Sequence, residues 1–447
     1  MNTTTLIKNV SIVNEHKIYN ADVLIKNGRI EKIGHELSVQ EKCIEMNAEH
    51  LHLLPGCIDD QVHFREPGLT HKGEIYTEAK AAVAGGITSY MEMPNTNPQT
   101  ITQELLAAKY QRASMVSLAN YSFFMGVTNH NYEEVVRTNP LDVCGIKIFM
   151  GSSTGDMLVD DENILCRIFG NAPTLIAVHC EDEATVKRNL AAAKETYGEA
   201  IPVEMHPNIR SEEACYLSSS LAVALAKKKG TRLHVLHIST ARELSLFDNA
   251  LPLADKKITS EACVHHLYFT DEDYKTKGSL IKWNPAVKTK NDRDAIRRAV
   301  IDNTIDIIAT DHAPHTLEEK AHPYLTCPSG GPLVQHALPA MLDAVNQGWM
   351  TLEKVVEKMA HSPAICFQVE NRGFIREGYF ADLVVVDLKK TTMVSKENIL
   401  YKCGWSPFEG SSLKGSVVST YVNGHRVYHE GVFDESKVGQ RLSFIRK

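Results

Sequence analysis

The sequence predicts an α/β protein, a (β/α)₈ barrel with a small β-sandwich domain formed from both chain ends. Two observations lead to this prediction. Eight short apolar or β-branched runs alternate with helix-like stretches through the middle of the chain, which is typical of a parallel sheet covered by helices. Both ends of the chain instead alternate apolar and polar residues around tight turns, the pattern of β-hairpins.

The hairpin signals lie in ADVLIKNGRIEKIG, with a turn at Asn27-Gly28, and in STYVNGHRVYHEGVF, with a turn at Asn423-Gly424. An isolated hairpin is barely stable in water, so the two end segments are expected to pair into one β domain. The predicted organisation is residues 1–54 and 366–447 in the sandwich and residues 55–365 in the barrel.

The predicted barrel strands are GCIDDQVHF, ITSYMEM, YSFFMGV, VCGIKIFM, LIAVHCE, LHVLHIS, KITSEAC and IDIIATD. Predicted helices separate most of them, among them EIYTEAKAAVAGG and SEEACYLSSSLAVALAKKKG. The second of these ends at Gly230, as helices often do. An open doubly wound sheet is the alternative, but no Gly-x-Gly-x-x-Gly motif follows the first strand.

The composition is that of a soluble globular protein and narrows the range of partners. The 447 residues include 48 Lys and Arg and 55 Asp and Glu, so the net charge is −7 and nucleic acid is not an expected partner. Neither a signal-peptide pattern nor an apolar run of ~18 residues is present, so no membrane association is expected. The 10 cysteines form no Cys-x-x-Cys pair, which predicts reduced thiols and a cytoplasmic location.

Several predicted strands end in a residue that can bind a metal ion. These residues are His63, Lys147, His179, His237 and Asp311. The carboxyl ends of barrel strands meet at one face, so these five side chains are expected to converge. A single strand histidine is more often an ordinary core residue, but five such placements together favour a functional site.

Imidazole and carboxylate groups favour a zinc-like ion. Such an ion lowers the pKa of its water ligand toward ~7, which suits hydrolysis of a polar bond. A lysine buried among apolar residues can be neutral, and a neutral amine can react with carbon dioxide to form an anionic carbamate. Lys147 is therefore either a carbamate bridge between ions or an ordinary ion-pair lysine.

Six motifs follow one another between about Pro55 and Gly410: PGCIDDQVHFREPG, MEMPNTNP, VHCED, LHIST, KWNPAVKT and IATDHAPH. In this order and spacing they resemble the amidohydrolase superfamily, and in particular its longer bacterial dihydroorotases. DLVVVD near Asp382 also resembles the end of that family's sequences. Together the motifs are specific, although each alone would be weak.

The resemblance implies a centre with one or two Zn²⁺ ions. His63 would bind the first ion, Lys147 as a carbamate would bridge both ions, and His179 and His237 would bind the second. Asp311 would bind the first ion and act as general base and general acid.

The resemblance also implies a small-molecule substrate that carries a carboxylate, dihydroorotate, formed reversibly from N-carbamoyl-L-aspartate in pyrimidine biosynthesis. Arg65, Asn95 and His315 would hold the carboxylate, since an arginine fork matches it in bidentate fashion. Asn284 would lie beside the ring. Ordinary alternatives are a surface ion pair for Arg65, a turn role for Asn95, and structural roles for His315 and Asn284.

The first predicted strand departs from the family pattern Asp-x-His-x-His. Gln61 stands at the first histidine position, and only the second histidine, His63, is kept. An amide oxygen is a weaker zinc ligand than imidazole, so the first ion is expected to bind less tightly than the second.

The fourth strand departs as well. Many long dihydroorotases bridge their metals with an aspartate where this chain has Phe149 to Ser153. Lys147 instead resembles the carbamate lysine of allantoinases and dihydropyrimidinases.

Three functions are therefore compatible with the sequence. The first is an active dihydroorotase, and the second is another cyclic amidohydrolase, such as an allantoinase or a dihydropyrimidinase, in which Arg65 would lack a carboxylate partner. The third is a catalytically inactive relative that serves as a structural partner of aspartate transcarbamoylase. The replacement of a metal-binding histidine by Gln61 would be consistent with this third function.

The resemblance also suggests a homo-oligomer. The segment TLEEKAHPYLTCPSGGPLVQ is rich in Pro and Gly and is a candidate cover for the pocket.

Overall fold

The computed structural model describes residues 4–151 and 157–446. Its strands are β1 (Thr4–Asn14), β2 (Lys17–Lys26), β3 (Arg29–Gly34), β4 (Cys43–Asn47), β5 (His52–Pro55), β6 (Cys57–Val62), β7 (Ile87–Glu92), β8 (Asn120–Phe123), β9 (Met125–Gly126), β10 (Ile146–Phe149), β11 (Ile176–His179), β12 (Leu233–Val235), β13 (Ile258–Cys263), β14 (Ile307–Ala309), β15 (Leu383–Met393), β16 (Ser412–Val422), β17 (His425–His429) and β18 (Val432–Phe433).

The strands from β6 to β14 form a parallel barrel. β6, β7 and β8 pair in order, and β9 through β14 pair in order. β8 and β9 flank Phe124 and together make the third strand of the barrel. A parallel bridge between Val62 and His312 joins the last strand to the first. The predicted eight-stranded barrel is therefore confirmed, and each predicted run overlaps one of its strands.

The helices are α1 (Ile75–Ala84), α2 (Gln103–Val116), α3 (Tyr132–Val136), α4 (Glu162–Asn171), α5 (Glu183–Tyr197), α6 (His206–Ile209), α7 (Glu212–Lys229), α8 (Val264–Tyr268), α9 (Tyr274–Lys277), α10 (Lys290–Ile301), α11 (Leu317–Lys320), α12 (Ala337–Asn346), α13 (Leu352–Val356) and α14 (Ser362–Cys366). Short 3₁₀ turns lie at Val203–Met205, Arg242–Leu246, Leu253–Asp255, Asp271–Asp273 and Gly278–Ile281, and a π-helical turn lies at Glu357–His361.

Helix α7 shows how local sequence sets a boundary. The Ser211 side chain accepts a hydrogen bond from the backbone N–H of Ala214 at the N-terminus, and Gly230 ends the helix with φ +71°. Serine caps and a left-handed glycine are the usual signals for these two positions. The predicted end at Gly230 is confirmed.

The two chain ends share one nine-stranded sheet. Its order is β18-β17-β16-β15-β5-β1-β2-β3, with β4 paired to β1. β5 is the junction, because it runs parallel to β1 and antiparallel to β15, where Pro55 faces Leu383. Apolar side chains from both ends, including Val23 and Leu383, share one buried core. The boundaries after residue 54 and before residue 366 stay a prediction.

The two predicted hairpin turns lie against each other. Asn27 and Gly28 connect β2 to β3, Asn423 and Gly424 connect β16 to β17, and all four have positive φ. A Cβ on Gly424 would lie 2.8 Å from the Cα of Gly28, so only glycine fits where the turns meet.

Within the described residues, no helix is both long and apolar enough to cross a membrane. All ten cysteines are free thiols. Ser152 and Ser153, which belong to the stretch that departs from the family pattern, lie outside the described residues.

Candidate active site

The candidate site is a pocket at the carboxyl ends of the barrel strands. Eight of the nine side chains proposed from the sequence line it, and the exception is His315. The lining residues are Gln61, His63, Arg65, Asn95, Lys147, Phe149, His179, His237, Trp283, Asn284, Asp311, Ala313, Ser329 and Gly330.

Two histidines face each other at the ends of β11 and β12. The Nδ1 atom of His179 lies 3.0 Å from the Nε2 atom of His237. Burial is the main reason that the pKa of each imidazole is lowered, strongly so in His237, and the nearby Lys147 lowers both pKa values further. Both rings are therefore neutral at pH 7, the state in which imidazole binds a metal ion.

A buried carboxylate orients His179 from behind. Glu181 Oε2 lies 3.1 Å from His179 Nε2 and also pairs with Arg210. Although burial opposes ionisation, Arg210 and His179 hold the pKa of Glu181 at about 2. A carboxylate on the second ring nitrogen is the usual support of a metal-binding histidine, because it fixes the tautomer and the ring direction.

A second cluster surrounds Asp311. His63 Nε2 and Gln61 Nε2 each lie 3.2 Å from Asp311 Oδ1. His63 Nδ1 lies 2.7 Å from Asn95 Oδ1, so the ring can donate there and leave Nε2 as its free acceptor. The Gln61 amide oxygen instead accepts from the thiol of Cys263 at 3.5 Å. Gln61 therefore offers Asp311 a hydrogen bond through its nitrogen.

Lys147 and Asp311 are both buried, and burial shifts their pKa values in opposite directions, each toward the neutral form. Burial lowers the pKa of Lys147 to about 7, against the opposing attraction of Asp311. Burial raises the pKa of Asp311 to about 7, against the opposing influence of neighbouring basic groups that include Arg65. Lys147 is thus readily neutral near pH 7, as its reaction with carbon dioxide requires.

Arg65 is the cation at the side of the pocket. Its Nε donates to the carbonyl of Pro314 at 3.1 Å, and its Nη2 lies 3.1 Å from His315 Nε2. His315 is fully buried behind it, 3.1 Å from the Ser329 carbonyl and 3.0 Å from Lys72 Nζ. Burial and the two cations hold the pKa of His315 well below its ordinary value. The neutral ring can therefore donate to Ser329 and accept from Lys72.

The remaining wall comes from two loops. Asn284 and Trp283 follow the seventh strand of the barrel, and Trp283 Nε1 donates to the backbone carbonyl of Asp311 at 3.2 Å. Ser329 and Gly330 belong to the segment after the eighth strand. Lys320, buried beneath this segment, donates to the Gly330 carbonyl at 2.8 Å, which fixes the loop beside the pocket.

Sequence reasoning missed several supporting residues. Glu181, Glu261 and Glu78 are completely buried, and Glu78 Oε2 lies 2.9 Å from Nε2 of His312, the neighbour of Asp311. The sequence did contain a signal for such residues, a carboxylate inside or beside an apolar run, as in VHCED and KITSEAC. Acids are seldom buried without a partner, so an acid in such a run indicates a side chain with a buried partner.

The donor set fits one divalent ion better than two. His179 and His237 present converging neutral nitrogens, and their 3.0 Å separation is close to the spacing of two ligands on one zinc ion. His63 and Asp311 converge in the same way, but Gln61 directs its amide nitrogen toward them. The second metal position is therefore better supplied with ligands than the first.

A further buried group lies apart from the pocket lining. One ligand atom from each of Asp60, His234 and Glu261 falls within 4.8 Å of the others. These residues come from β6, β12 and β13.

The fold and this site define a barrel enzyme of the hydrolase type, with side chains suited to binding a metal ion. The model of the Amidohydrolase family matches residues 52–427, and the chain belongs to that family. Relatives named dihydroorotase match almost the whole chain. The protein of Methanosphaera stadtmanae is 32% identical over 423 residues, 94% of this chain and 95% of the relative. The protein of Ligilactobacillus salivarius is 32% identical over 438 residues, 95% of this chain and 98% of the relative.

Among solved structures, an L-hydantoinase (dihydropyrimidinase) from Arthrobacter aurescens superposes with a TM-score of 0.93 at 26% identity. The match covers 99% of this chain and 100% of the other. The chain is therefore similar in sequence to dihydroorotases and in structure to a hydantoinase of the same architecture.

Proposed function

We propose that this chain is a dihydroorotase, which interconverts N-carbamoyl-L-aspartate and (S)-dihydroorotate in pyrimidine biosynthesis. The observation that carries the proposal is the placement of Arg65 in the same pocket as His63, His179, His237 and Asp311. A cyclic amide with a carboxylate substituent matches a pocket that joins hydrolytic groups to a guanidinium. The curated relatives named dihydroorotase support this substrate.

His179 and His237 would hold the second zinc ion, and His63 and Asp311 would hold the first, weaker one. Lys147 as a carbamate would contribute to both. When bound, the ion supplies an activated water at neutral pH and polarises the ring carbonyl. The carbamate would form when the neutral Lys147 Nζ bonds to the carbon of CO₂ and releases one proton to solvent. Burial supports this step, because it lowers the pKa of Lys147 to about 7.

Asp311 would carry the proton. In ring opening, its carboxylate accepts a proton from the attacking water and passes it to the leaving amide nitrogen. In ring closure, the ureido nitrogen bonds to the carboxyl carbon, and Asp311 takes the proton from that nitrogen and gives it to the departing oxygen, which leaves as water. The Trp283 contact to the Asp311 backbone and the Gln61 contact to its carboxylate hold this group in place.

Arg65 and Asn95 would bind the substrate carboxylate, and Asn284 would face the ring. His315 would act from behind Arg65, because it does not line the pocket. A buried guanidinium without an anionic partner is costly, so an uncharged ureide would satisfy this pocket less well than dihydroorotate.

The purified chain, supplied with zinc and bicarbonate, should hydrolyse dihydroorotate and cyclise N-carbamoyl-L-aspartate. Allantoin, hydantoin and dihydrouracil serve as uncharged comparison substrates. Higher kcat/KM for an uncharged ring than for dihydroorotate would replace this proposal with the second candidate, a hydantoinase-like or allantoinase-like enzyme. That candidate is favoured by Lys147 and by the structural match to the hydantoinase.

The same preparation tests the inactive structural partner of aspartate transcarbamoylase. Metal below one tenth of an equivalent, together with no turnover of any ring after zinc and bicarbonate are added, would favour that function. The retained His63, Lys147, His179, His237 and Asp311 support activity instead. A homo-oligomer and a cytoplasmic location stay predictions.

A further inference from the structure

A buried polar network lies next to the proposed metal ligands. Asp60, His234 and Glu261 have exposed fractions of zero, and each comes from a different barrel strand. Three ionisable side chains in the interior of a barrel need a structural or functional reason, because burying them unpaired is costly.

His234 links the two carboxylates of the network. Its Nε2 lies 3.2 Å from Glu261 Oε2 and 3.3 Å from Asp60 Oδ2. Its Nδ1 lies 2.8 Å from Thr259 Oγ1, and that hydroxyl donates to the Leu233 carbonyl. The Thr259 oxygen therefore accepts from Nδ1–H, and Nε2 is directed toward the two carboxylates.

The second oxygen of Glu261 reaches the metal-site backbone. Glu261 Oε1 accepts a hydrogen bond from the backbone N–H of His237 at 3.1 Å. The backbone carbonyl of Glu261 accepts from the N–H of Ile238 at 2.8 Å. One residue thus holds two consecutive peptide groups of the turn that carries His237.

His237 adopts an unusual conformation at this turn. Its φ is +41°, in the left-handed region that residues with a Cβ rarely adopt. Such a conformation persists only where the surroundings enforce it. The two Glu261 contacts provide that enforcement, and the direction of the His237 ring toward His179 depends on it.

We propose that Glu261 is a positioning residue for His237, held in place by His234, which also contacts Asp60. The proposal rests on the proposed role of His237 as a metal ligand. Glu261 sets the backbone of the turn, the backbone sets the direction of the imidazole, and the imidazole completes the metal position with His179.

The test compares Glu261→Met, which removes the acceptor, with Glu261→Gln, which keeps an amide oxygen for the His237 N–H. Glu243→Met is the matched control, because Glu243 is also buried and accepts from the Ser239 backbone and the Thr240 hydroxyl. Co²⁺ is bound to each metal-free protein, and its affinity and visible absorption spectrum are measured. Thermal melting and circular dichroism report folding.

Glu261→Met should bind Co²⁺ roughly 10–100-fold more weakly, as expected for loss of a group that supports a ligand, and should show an altered spectrum. Glu261→Gln should bind more tightly than Glu261→Met, and Glu243→Met should keep the wild-type spectrum. If Glu261→Met does not fold, Glu261→Gln and His234→Gln provide the comparison, with weaker binding and an altered spectrum expected in His234→Gln.

The proposal would be overturned by unchanged Co²⁺ affinity and spectrum in a folded Glu261→Met protein. If that protein does not fold, unchanged affinity and spectrum in both Glu261→Gln and His234→Gln would overturn it. Loss of one metal equivalent in His234→Gln, with the wild-type spectrum retained, would also overturn it and identify the trio as an ion site. If the wild type binds Co²⁺ but does not turn over dihydroorotate, the proposed function fails while this test still stands. If the wild type binds no Co²⁺, the inference fails as well.

Discussion

His179 Nδ1 and His237 Nε2 lie 3.0 Å apart at the ends of two neighbouring barrel strands. With both rings neutral and Glu181 engaged with His179 Nε2, an ion that both nitrogens can bind would stabilise the folded state. Removal of metal by a chelator should therefore abolish turnover and lower the melting temperature by roughly 5 °C, by linkage of binding to folding. Calorimetry before and after zinc is restored checks this, and an identical melting temperature would contradict it.

Asp311→Asn should reduce kcat by about 10²–10⁴-fold, the usual contribution of a general acid–base group. The ion held by His179 and His237 should persist, because both histidines remain, whereas the occupancy of the weaker ion that His63 and Asp311 would hold should fall. Steady-state kinetics and elemental analysis on the same sample measure both effects. The exposed Asp302 supplies the control Asp302→Asn, and substantial residual activity in Asp311→Asn would remove the residue from its role.

Gln61→His should raise the metal content per chain. The substitution replaces an amide whose nitrogen faces Asp311 with an imidazole beside His63, and imidazole is the better zinc ligand. Elemental analysis after dialysis at limiting zinc measures the change. Gln103→His adds an imidazole away from the pocket as a control, and equal metal content in wild type and Gln61→His would place Gln61 outside the metal position.

Arg65→Met should raise KM for dihydroorotate about 10–100-fold, since a hydrogen bond to a charged group contributes ~1.5–3 kcal/mol. Hydrolysis of an uncharged hydantoin, where measurable, should change less. Arg112→Met, which removes a partly exposed partner of Glu66, controls for loss of a guanidinium. Equal losses for charged and uncharged substrates would argue against carboxylate recognition.

Lys320 should make a contribution to the stability of the protein that rises with pH. Burial lowers the pKa of Lys320 to about 7 from its ordinary value of 10.5. Between these values Lys320 binds more protons in the unfolded chain than in the folded one, so its contribution to the free energy of unfolding increases with pH. Urea unfolding from about pH 6.5 to pH 9.5 measures this contribution as the difference between two proteins. The stability of the wild type relative to Lys320→Met should rise across this window, whereas its stability relative to the surface variant Lys228→Met should not, and parallel curves for all three proteins would refute the assignment.

Much of the fold could be predicted because its signals are local. The turn at Asn27-Gly28 needs positive φ at two successive positions, and the sequence Asn-Gly meets that need without reference to the rest of the chain. The contact between Gly28 and Gly424 could not be predicted in the same way. It depends on how two distant chain segments pack, and the sequence of neither turn indicates that it will contact the other.

The candidate site likewise has features that could be predicted from the sequence and features that could not. Residues at strand ends, such as His179 and Asp311, could be placed together because barrel geometry brings strand ends to one face. Sequence spacing does not give the direction of a side chain, so the contact between His315 and Arg65 could not be predicted. The links from Glu181 to His179 and from Glu261 to His237 likewise depend on distances that only the folded chain defines.

The pairing of β5 with β15 has a consequence for biosynthesis of the chain. Pro55 and Leu383 are more than three hundred residues apart in sequence yet are neighbours in one sheet. During synthesis on the ribosome, β5 emerges long before its partner and exposes an unpaired strand edge in the interval. The sheet can be completed only after the barrel has been translated, which makes closure of the sheet a late, high-contact-order step of folding.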